Sequence, residues 1–224
     1  MSPTRTARAE PSPVDMYQDG LRAAARGRSG GWRVRYGDGS ARPLALAAWS
    51  GGPRPGDDTL LGRCVGPTID VGCGPGRLTA ALGARGVPTL GIDIAGQAVA
   101  LCRARGGAAL RRDVFGAVPG VGRWAHVLLA DGNLGIGGDP AALLRRCAEL
   151  VGPQGTVLCE TDPPGTPLRR VRIRIEPPRG PGSGWFRWAH LGPATLAELA
   201  APAGLEPSGR WWSAGRWFSE LRRR

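Results

Sequence analysis

Aspartates and glycines recur through the middle of this chain at spacings that could bind a nucleotide. The segment Ile69-Asp-Val-Gly-Cys-Gly-Pro-Gly-Arg77 places three glycines directly after a short apolar run. Glycines let the backbone turn tightly and let a ligand lie against it without a Cβ clash. The helix predicted to follow would offer free N–H groups to an anionic group. The turn therefore predicts part of a nucleotide-binding site.

Acidic residues follow in phase with this turn. Asp93 lies 17 residues after Gly76. Asp113 follows 20 residues after Asp93, and Asp131 18 residues after Asp113. With Asp70, they stand at or near the ends of four predicted strands, the edge where open α/β sheets bind ligands. A single aspartate could merely end a strand as a turn former, but four in phase favour a nucleotide site.

The elements that must position these residues alternate from residue 67 onward. Short apolar runs predict strands, and the Ala-, Leu- and Arg-rich segments between them predict helices. The predicted strands are 68–71, 89–93, 109–113, 127–131 and 155–160, and the predicted helices are 76–85, 95–105 and 140–151. Strands that alternate with helices imply right-handed crossovers and a parallel sheet.

The two ends of the chain depart from this alternation. A helix is predicted over 14–25, a hairpin over 32–46 with its second strand at 43–46, and a helix from 57 to 64 capped by an aspartate. Apolar residues alternate with arginines over 171–175, which predicts a half-exposed strand. A short helix is predicted over 195–203 and a hairpin over 210–218.

The glycine spacing distinguishes between nucleotide-binding families. A dinucleotide fingerprint reads G-x-G-x-x-G, whereas this chain has G-x-G-x-G with an acid two residues before the first glycine. Asp-Val-Gly-Cys-Gly-Pro-Gly over 70–76 resembles motif I of class I S-adenosylmethionine-dependent methyltransferases, and the resemblance covers about residues 60–160. It implies a Rossmann-like, doubly wound α/β fold. The sheet would be seven-stranded and mostly parallel, with an antiparallel C-terminal hairpin.

The resemblance also implies the cofactor, S-adenosylmethionine, its product S-adenosylhomocysteine, and roles for single residues. The glycine turn beside Asp70 would face the methionine and sugar, and Asp93 would bind the ribose. Asp113 would accept from the adenine amino group, with Val114 flanking the ring, and the Asp131 region would face the methyl group. The implied cofactor-binding residues are Asp70, Gly72, Cys73, Gly74, Gly76, Asp93, Ile94, Asp113, Val114, Asp131 and Asn133.

Methyl transfer itself needs chiefly alignment, with a nucleophile about 3–3.5 Å from the methyl carbon. A general base is needed only if the acceptor carries a proton. Asp131 and His190 are the candidates for that role, and Glu160 is a weaker one. His126, predicted inside the fourth strand, is interpreted as a core or edge residue. Cys73 is interpreted as a small packing residue rather than a nucleophile.

No motif specifies the acceptor or the atom that is methylated. The fourth strand lacks the Asn/Asp-Pro-Pro-Tyr signature of enzymes that methylate planar amines and the Glu-His pair common in small-molecule O-methyltransferases. Its glycine-rich run over 131–139 is typical of a bacterial subgroup without an assigned substrate. The first hypothesis is a small-molecule acceptor, and the arginines at 169–174 favour an anionic one. The tryptophans at 185, 188, 211, 212 and 217 are predicted to pack the end of the sheet.

Composition limits the other function classes. Gly and Pro make up 58 of the 224 residues, but a hydrophobic content of 42% excludes a wholly disordered chain. All 30 basic residues are arginine and the net charge is +12, which raises a nucleic-acid methyltransferase as an alternative. Against it, residues 60–160 hold ten arginines and seven acids, and no RNA-binding module is recognisable. A non-catalytic cofactor-binding protein is the third hypothesis, and the glycine spacing disfavours a nicotinamide oxidoreductase.

Cysteine use and the chain start bear on location and organisation. Five cysteines without a CxxC pair, and only two histidines, argue against disulfides or a metal site. No apolar run approaches the ~18–20 residues of a membrane helix, and no secretory signal is recognisable, so a cytoplasmic protein without membrane contact is expected. Residues 1–59 are predicted as an N-terminal extension, either a lid or a hydrophobic cap on the sheet edge. Residues 60–224 are the predicted methyltransferase domain, and the oligomeric state stays open.

Overall fold

The fold of this chain is given by a computed structural model that describes residues 10–224. The first nine residues of the predicted extension lie outside the described part. The helices are α1 (Pro13–Ala25), α2 (Leu46–Ser50), α3 (Asp57–Leu61), α4 (Arg77–Ala84), α5 (Gly96–Ala104), α6 (Pro140–Leu150) and α7 (Pro193–Ala200). The strands are β1 (Arg33–Tyr36), β2 (Ala41–Pro43), β3 (Thr68–Val71), β4 (Thr89–Asp93), β5 (Ala109–Arg111), β6 (Trp124–Leu129), β7 (Val151–Thr161), β8 (Arg169–Glu176), β9 (Phe186–His190), β10 (Leu205–Ser213) and β11 (Arg216–Arg223).

Seven strands form a central sheet in the order β10-β11-β7-β6-β3-β4-β5. The five strands from β3 to β7 pair in parallel, and β11 and β10 add an antiparallel hairpin at one end. The strands of the parallel part are buried on both faces, which is why they read as short apolar runs. The predicted seven-stranded sheet with its antiparallel hairpin is confirmed.

Helices cover both faces of this sheet, as a doubly wound fold requires. Leucines of α6 and α7 pack with β3, β6 and β7 on one face. Leucines of α3 and α4 pack with β6, β7 and β11 on the other. The start of α6 is fixed locally, since the Asp139 side chain accepts the N–H of Ala142 and Pro140 occupies the first turn. None of the described helices is long and apolar enough to cross a membrane.

A second, four-stranded antiparallel sheet has the order β2-β1-β8-β9. The hairpin β1–β2 and the alternating strand β8 were each predicted, but their pairing was not. Val34 lies opposite Ile175, far away along the chain. Alternation tells which side of a strand is buried but does not identify its partner, so this sheet could not be assembled from local patterns.

Two predictions near the N-terminus are wrong in detail. The second hairpin strand ends at Pro43, and Leu46, predicted in that strand, begins α2 and is fully buried. The helix predicted to reach residue 64 ends at Leu61. Its N-cap is Gly56, in a left-handed conformation, rather than an aspartate. Asp57 is instead drawn into the interior by arginine partners.

Two strands are also shorter at their carboxyl ends than predicted. β5 ends at Arg111 rather than at Asp113, and β6 ends at Leu129 rather than at Asp131. Both aspartates therefore lie in the loops beyond the strands.

Candidate functional site

The glycine turn joins β3 to α4 and forms one wall of a cavity. Gly72 and Gly74 both have positive φ, 72° and 54°. A Cβ added to Gly72 would lie 2.7 Å from the Asn133 amide, and one on Gly74 would lie 3.3 Å from the Tyr17 hydroxyl. The bare backbone therefore lets neighbouring groups and a ligand approach closely.

Gly76 serves helix packing rather than the cavity. A Cβ on Gly76 would lie 2.3 Å from the Cys102 sulfur, so its absence lets α5 pack against the start of α4. Among the predicted cofactor-binding residues, Gly76 is the one that the cavity wall does not include.

The cavity lies between the carboxyl edge of the central sheet and the second sheet, and its volume is about 670 Å³. The other predicted cofactor residues all line it, together with His190. Those residues are Asp70, Gly72, Cys73, Gly74, Asp93, Ile94, Asp113, Val114, Asp131 and Asn133. The geometry therefore brings the aspartates of four strand ends to one place.

Asp93 is held in a fixed orientation at the end of β4. Its two carboxylate oxygens accept N–H groups from Gly74 at 3.0 Å and Ala95 at 2.8 Å. Burial raises its pKa, although these two hydrogen bonds oppose the shift. Asp113 is more exposed and accepts the N–H of Phe115 at 3.0 Å. Backbone N–H groups thus anchor both carboxylates. Each accepts from the residue two positions later, and Asp93 has a second donor in the glycine turn.

Asp70 lies at the floor of the cavity, 2% exposed. The Thr79 hydroxyl donates to it at 2.7 Å. Burial raises the pKa of Asp70 to about 7, because a carboxylate here loses its hydration and has one described hydroxyl donor in return. A cation bound in the cavity would favour its ionised form.

Asp131, one predicted base, is engaged in an ionic cluster. One of its oxygens accepts from Arg54 at 2.9 Å and the other from Arg77. Its backbone N–H donates to Glu160 at 2.7 Å, in a loop where Asp131 itself has a φ of 54°. Both oxygens of this carboxylate are therefore engaged by guanidinium donors.

The same cluster continues beneath the glycine turn. Asp57 is fully buried and accepts hydrogen bonds from Arg77 and, at 2.6 Å, from Arg216. Arg216 also donates to both oxygens of Glu160. Burial opposes the shift, but Arg216 lowers the pKa of Glu160, the weaker candidate base. Sequence reasoning missed this cluster because its members come from α3, α4, β7 and β11 and share no local pattern.

His190, the second predicted base, has the geometry that Asp131 lacks. Its Nε2 lies 3.4 Å from the Tyr36 hydroxyl, and its Nδ1 lies 3.4 Å from a carboxylate oxygen of Asp162. Asp162 is held in turn by the N–H of Leu191. Tyr36 and His190 both line the cavity. A carboxylate on one ring nitrogen orients the imidazole so that the other nitrogen faces the cavity.

Tyr17 of α1 closes the cavity over the glycine turn. Its ring packs edge-on against Trp49 of α2, with centroids 6.1 Å apart. Burial, followed by the charge of Asp93, raises its pKa. Tyr17 thus lines the same cavity as the glycine turn and the aspartates of the strand ends.

Trp188 does not pack the end of the sheet as predicted but lines the cavity. The 3-10 segment Asn133–Gly138 runs beside it, and a Cβ on Gly135 would lie 2.3 Å from the indole nitrogen. The glycine-rich run is therefore explained in part by the space that Trp188 needs. A signal for this contact was absent from the sequence because the two segments are more than 50 residues apart.

The remaining candidates occupy packing positions. His126 Nδ1 pairs with the Thr156 hydroxyl at 2.8 Å within the sheet, and burial lowers its pKa. Hydrogen bonding with Cys102 and burial hold the pKa of Cys73 above its usual range, so a thiolate is disfavoured. The cysteines are free, and residues 10–224 contain no cluster suited to a metal ion.

Known proteins resemble this chain both in sequence and in fold. Residues 69–159 match the model of a methyltransferase domain. Over 166 residues the chain is 32% identical to a ubiquinone biosynthesis O-methyltransferase of Bordetella avium (strain 197N). The match covers 67% of this chain and 65% of that protein, so the chain spans just under two thirds of the length of this curated relative.

Solved structures extend the similarity across the fold. A SAM-dependent methyltransferase from Bacteroides fragilis, in complex with S-adenosylhomocysteine, superposes with a TM-score of 0.79 at 20% identity, over 96% of both chains. Burkholderia thailandensis 1,6-didemethyltoxoflavin-N1-methyltransferase gives a TM-score of 0.59 at 17% identity, over 99% of this chain and 94% of that one. At these identities the superpositions show a shared fold.

Proposed function

Because the chain belongs to the class I S-adenosylmethionine-dependent methyltransferases, we propose that it methylates a hydroxyl group on a small molecule with an apolar body. S-adenosylmethionine is its cofactor. When bound, the cofactor supplies a methyl group on a sulfonium, with a neutral thioether as leaving group. The observation that carries the proposal is a single cavity that joins the aspartates of the sheet edge to an apolar wall bearing His190.

The residues at the sheet edge fit this cofactor. The Gly72–Gly74 backbone leaves a cradle that any Cβ would fill. Asp93, buried and fixed by two N–H donors, would accept from the ribose hydroxyls. Asp113, in the loop after the next strand, would accept from the adenine amino group beside Val114. This donor and acceptor set matches the polar groups of an adenosyl ligand.

In this proposal the N-terminal extension covers both ligands. Tyr17 of α1 lies beside the glycine turn and Tyr36 of β1 lies beside His190. Trp49 of α2 and Val34 of β1 line the same cavity. Aromatic faces near the turn would also favour a bound cation. The predicted boundary after residue 59 falls inside α3. The N-terminal extension therefore continues into the methyltransferase domain with no linker at that point.

The acceptor body would lie against the inner face of the second sheet. Ile173, Phe186 and Trp188 line this side of the cavity with Ile136. Apolar and aromatic walls favour a planar or aliphatic body over a polar polymer. The relative from Bordetella avium is named an O-methyltransferase, which supports a hydroxyl acceptor.

His190 would remove the acceptor proton. As the acceptor oxygen attacks, its proton would pass to His190 Nε2, directly or through the Tyr36 hydroxyl that lies 3.4 Å away. Asp162 would hold the imidazole in this orientation. Asp131 would instead hold the loop through its arginine partners.

The proposal is tested with methyl-labelled S-adenosylmethionine and a panel of hydroxylated aromatic small molecules. We expect label on a hydroxyl of at least one of them. His190→Gln should lower kcat by about 10²–10⁴-fold, while the dissociation constant of the cofactor, measured by calorimetry, stays unchanged.

The matched control is His126→Gln, since His126 is the chain's other histidine and does not line the cavity. It should leave kcat within about twofold. Label found on RNA instead of small molecules would favour the nucleic-acid alternative. Full activity in His190→Gln would remove the proposed base.

A further inference from the structure

A smaller cavity of about 280 Å³ opens beside the main one, between the 3-10 segment Asn133–Gly138 and the strands β8 and β9. We call it the arginine cleft. It is lined by Gly137, Gly138, Asp139, Arg170, Val171, Arg172, Arg187 and Trp188.

The arginine cleft is continuous with the main cavity. Gly137, Arg187 and Trp188 line both spaces. A ligand could therefore place one part beside His190 and another part among the arginines.

The charges in the cleft are unbalanced. Arg172 and Arg187 lie directly opposite each other across the antiparallel pair β8–β9. Like charges in that position destabilise a sheet. Within residues 10–224 neither guanidinium has a hydrogen bond or an ion pair, although that of Arg172 lies over the Trp185 ring, 6.0 Å from its centroid. Arg170 reaches the single carboxylate of the cleft, Asp139, only at 3.8 Å. Three cations thus face one acid, and an anion would relieve their repulsion.

The floor of the cleft is bare backbone. Gly137 and Gly138 have φ values of 75° and 72°. A Cβ on Gly138 would lie 2.6 Å from the Arg187 Cβ. The segment Asn133–Gly138 therefore packs directly against β9, which places Arg187 beside the backbone that borders the cleft.

We propose that the acceptor carries a carboxylate or phosphate group that binds in the arginine cleft while its apolar body lies in the main cavity. The inference rests on the proposed function, since it describes the same acceptor. Guanidinium groups suit such anions because they donate paired hydrogen bonds in a fixed plane. Arg174 of the 169–174 run does not take part, because it pairs with Glu176 at 2.7 Å.

The anion site is tested without any acceptor. Inorganic pyrophosphate is titrated into the protein loaded with S-adenosylhomocysteine, and arginine side-chain N–H signals are followed by NMR. We expect saturable shifts, with affinity at least about tenfold lower in Arg172→Gln and in Arg187→Gln. Arg210→Gln, an exposed arginine of β10, is the charge-matched control and should change nothing. A non-saturating titration, or equal loss in the control, overturns the anion site.

The link to the acceptor is tested by the charge of the product. The protein is incubated with methyl-labelled cofactor and a small-molecule extract, and labelled products are passed over an anion-exchange resin. We expect them to be retained, and their yield to fall at least about tenfold in Arg187→Gln. Neutral products overturn the inference but leave the proposed function intact. A saturable pyrophosphate site with no labelled product of any kind counts against the proposed function and, with it, this role of the cleft.

A membrane surface is the main competing source of phosphate groups. Vesicles of phosphatidylcholine with and without one fifth phosphatidylglycerol distinguish it. We expect no binding that depends on Arg172 or Arg187. Vesicle binding that both substitutions abolish, with pyrophosphate binding unsaturable, would assign the arginines to a lipid surface and overturn the inference.

Discussion

The two halves of the main cavity are built in opposite ways. The cofactor half, formed by the turn at 70–76 with Asp93 and Asp113, is polar and is held by backbone donors close in sequence or on the adjacent strand. The acceptor half, formed by the inner face of the second sheet and the segment Asn133–Gly138, is mostly apolar. One of its polar groups, His190, is held by side chains from distant segments.

This difference indicates how each half can change. The cofactor half depends on the strand-turn-helix unit itself, so its geometry is tied to the fold. The acceptor half depends on which strands meet in a separate sheet, so its walls can change without altering the turn. A fixed cofactor with a variable acceptor is the expected consequence.

The comparison predicts that the cofactor half depends on the ionic cluster beneath the glycine turn. Asp57→Ala tests this most severely, since Arg77 and Arg216 lose their shared buried carboxylate and keep Asp131 and Glu160 as partners. We expect a loss of about 2–4 kcal/mol in the free energy of unfolding, because a buried guanidinium that loses a charged acceptor is left incompletely paired. Urea denaturation followed by circular dichroism measures it.

The neighbouring Asp58→Ala is the control, because Asp58 is exposed. It should cost under about 1 kcal/mol. Similar losses in the two variants would mean that the ionic cluster does not support the turn.

Asp93→Ala should show that cofactor affinity depends on the cofactor half and not on the acceptor half. Removing a charged acceptor from two sugar hydroxyls should weaken cofactor binding by about 2–4 kcal/mol, as measured by calorimetry. Tyr36→Phe in the acceptor half should leave the cofactor dissociation constant unchanged. Unaltered affinity in Asp93→Ala would place the ribose elsewhere.

Asp162→Asn should affect the acceptor half alone. Asp162 positions His190 and does not line the cavity, so we expect kcat to fall about ten- to hundredfold with cofactor affinity unchanged. A positioning role should lower kcat while the KM of the acceptor stays unchanged, whereas a purely structural role would weaken the binding of both ligands as well. A loss of affinity for both ligands with kcat unchanged would contradict the role proposed for Asp162.

The cofactor half was easier to predict from the sequence than the acceptor half, because its groups lie closer together along the chain. Gly72, Gly74 and Asp93 were identified because a turn and a strand end are encoded within a few residues. Asp162 was missed because its meeting with His190 requires the path of the chain after β7, which no periodicity describes. His190 itself was a candidate base on its residue type alone, because the sequence indicated no partner for it.

Long-range charge pairs were equally invisible. Arg216 was predicted only as part of a hairpin, yet it joins β11 to Asp57 of α3. The arginines at 169–174 were grouped by proximity in sequence, and although those at 170, 172 and 174 share one face of β8, they have different partners. Arg172 meets Arg187 across the sheet, and Arg174 meets Glu176.

The smallest expected effect is a pH dependence of cofactor binding, which arises from Asp70 in the cofactor half. Burial raises the pKa of Asp70 from its ordinary value near 4 to about 7. The stability contributed by the neutral form is therefore fully present below pH 4 and is lost as the pH rises through about 7. A cation bound nearby would favour the ionised form, so binding S-adenosylmethionine should release a proton below pH 7.

Affinity for S-adenosylmethionine should accordingly be about tenfold weaker at pH 6 than at pH 8. Calorimetry in buffers of different ionisation enthalpy measures both the affinity and the proton release, in the His190→Gln background so that the acceptor half does not contribute. S-adenosylhomocysteine, which lacks the sulfonium, should show a weaker dependence, and Asp70→Asn should abolish it. If S-adenosylmethionine binds equally well at both pH values, its positive charge does not lie close to Asp70, and the methionine end must be oriented away from the floor of the cavity.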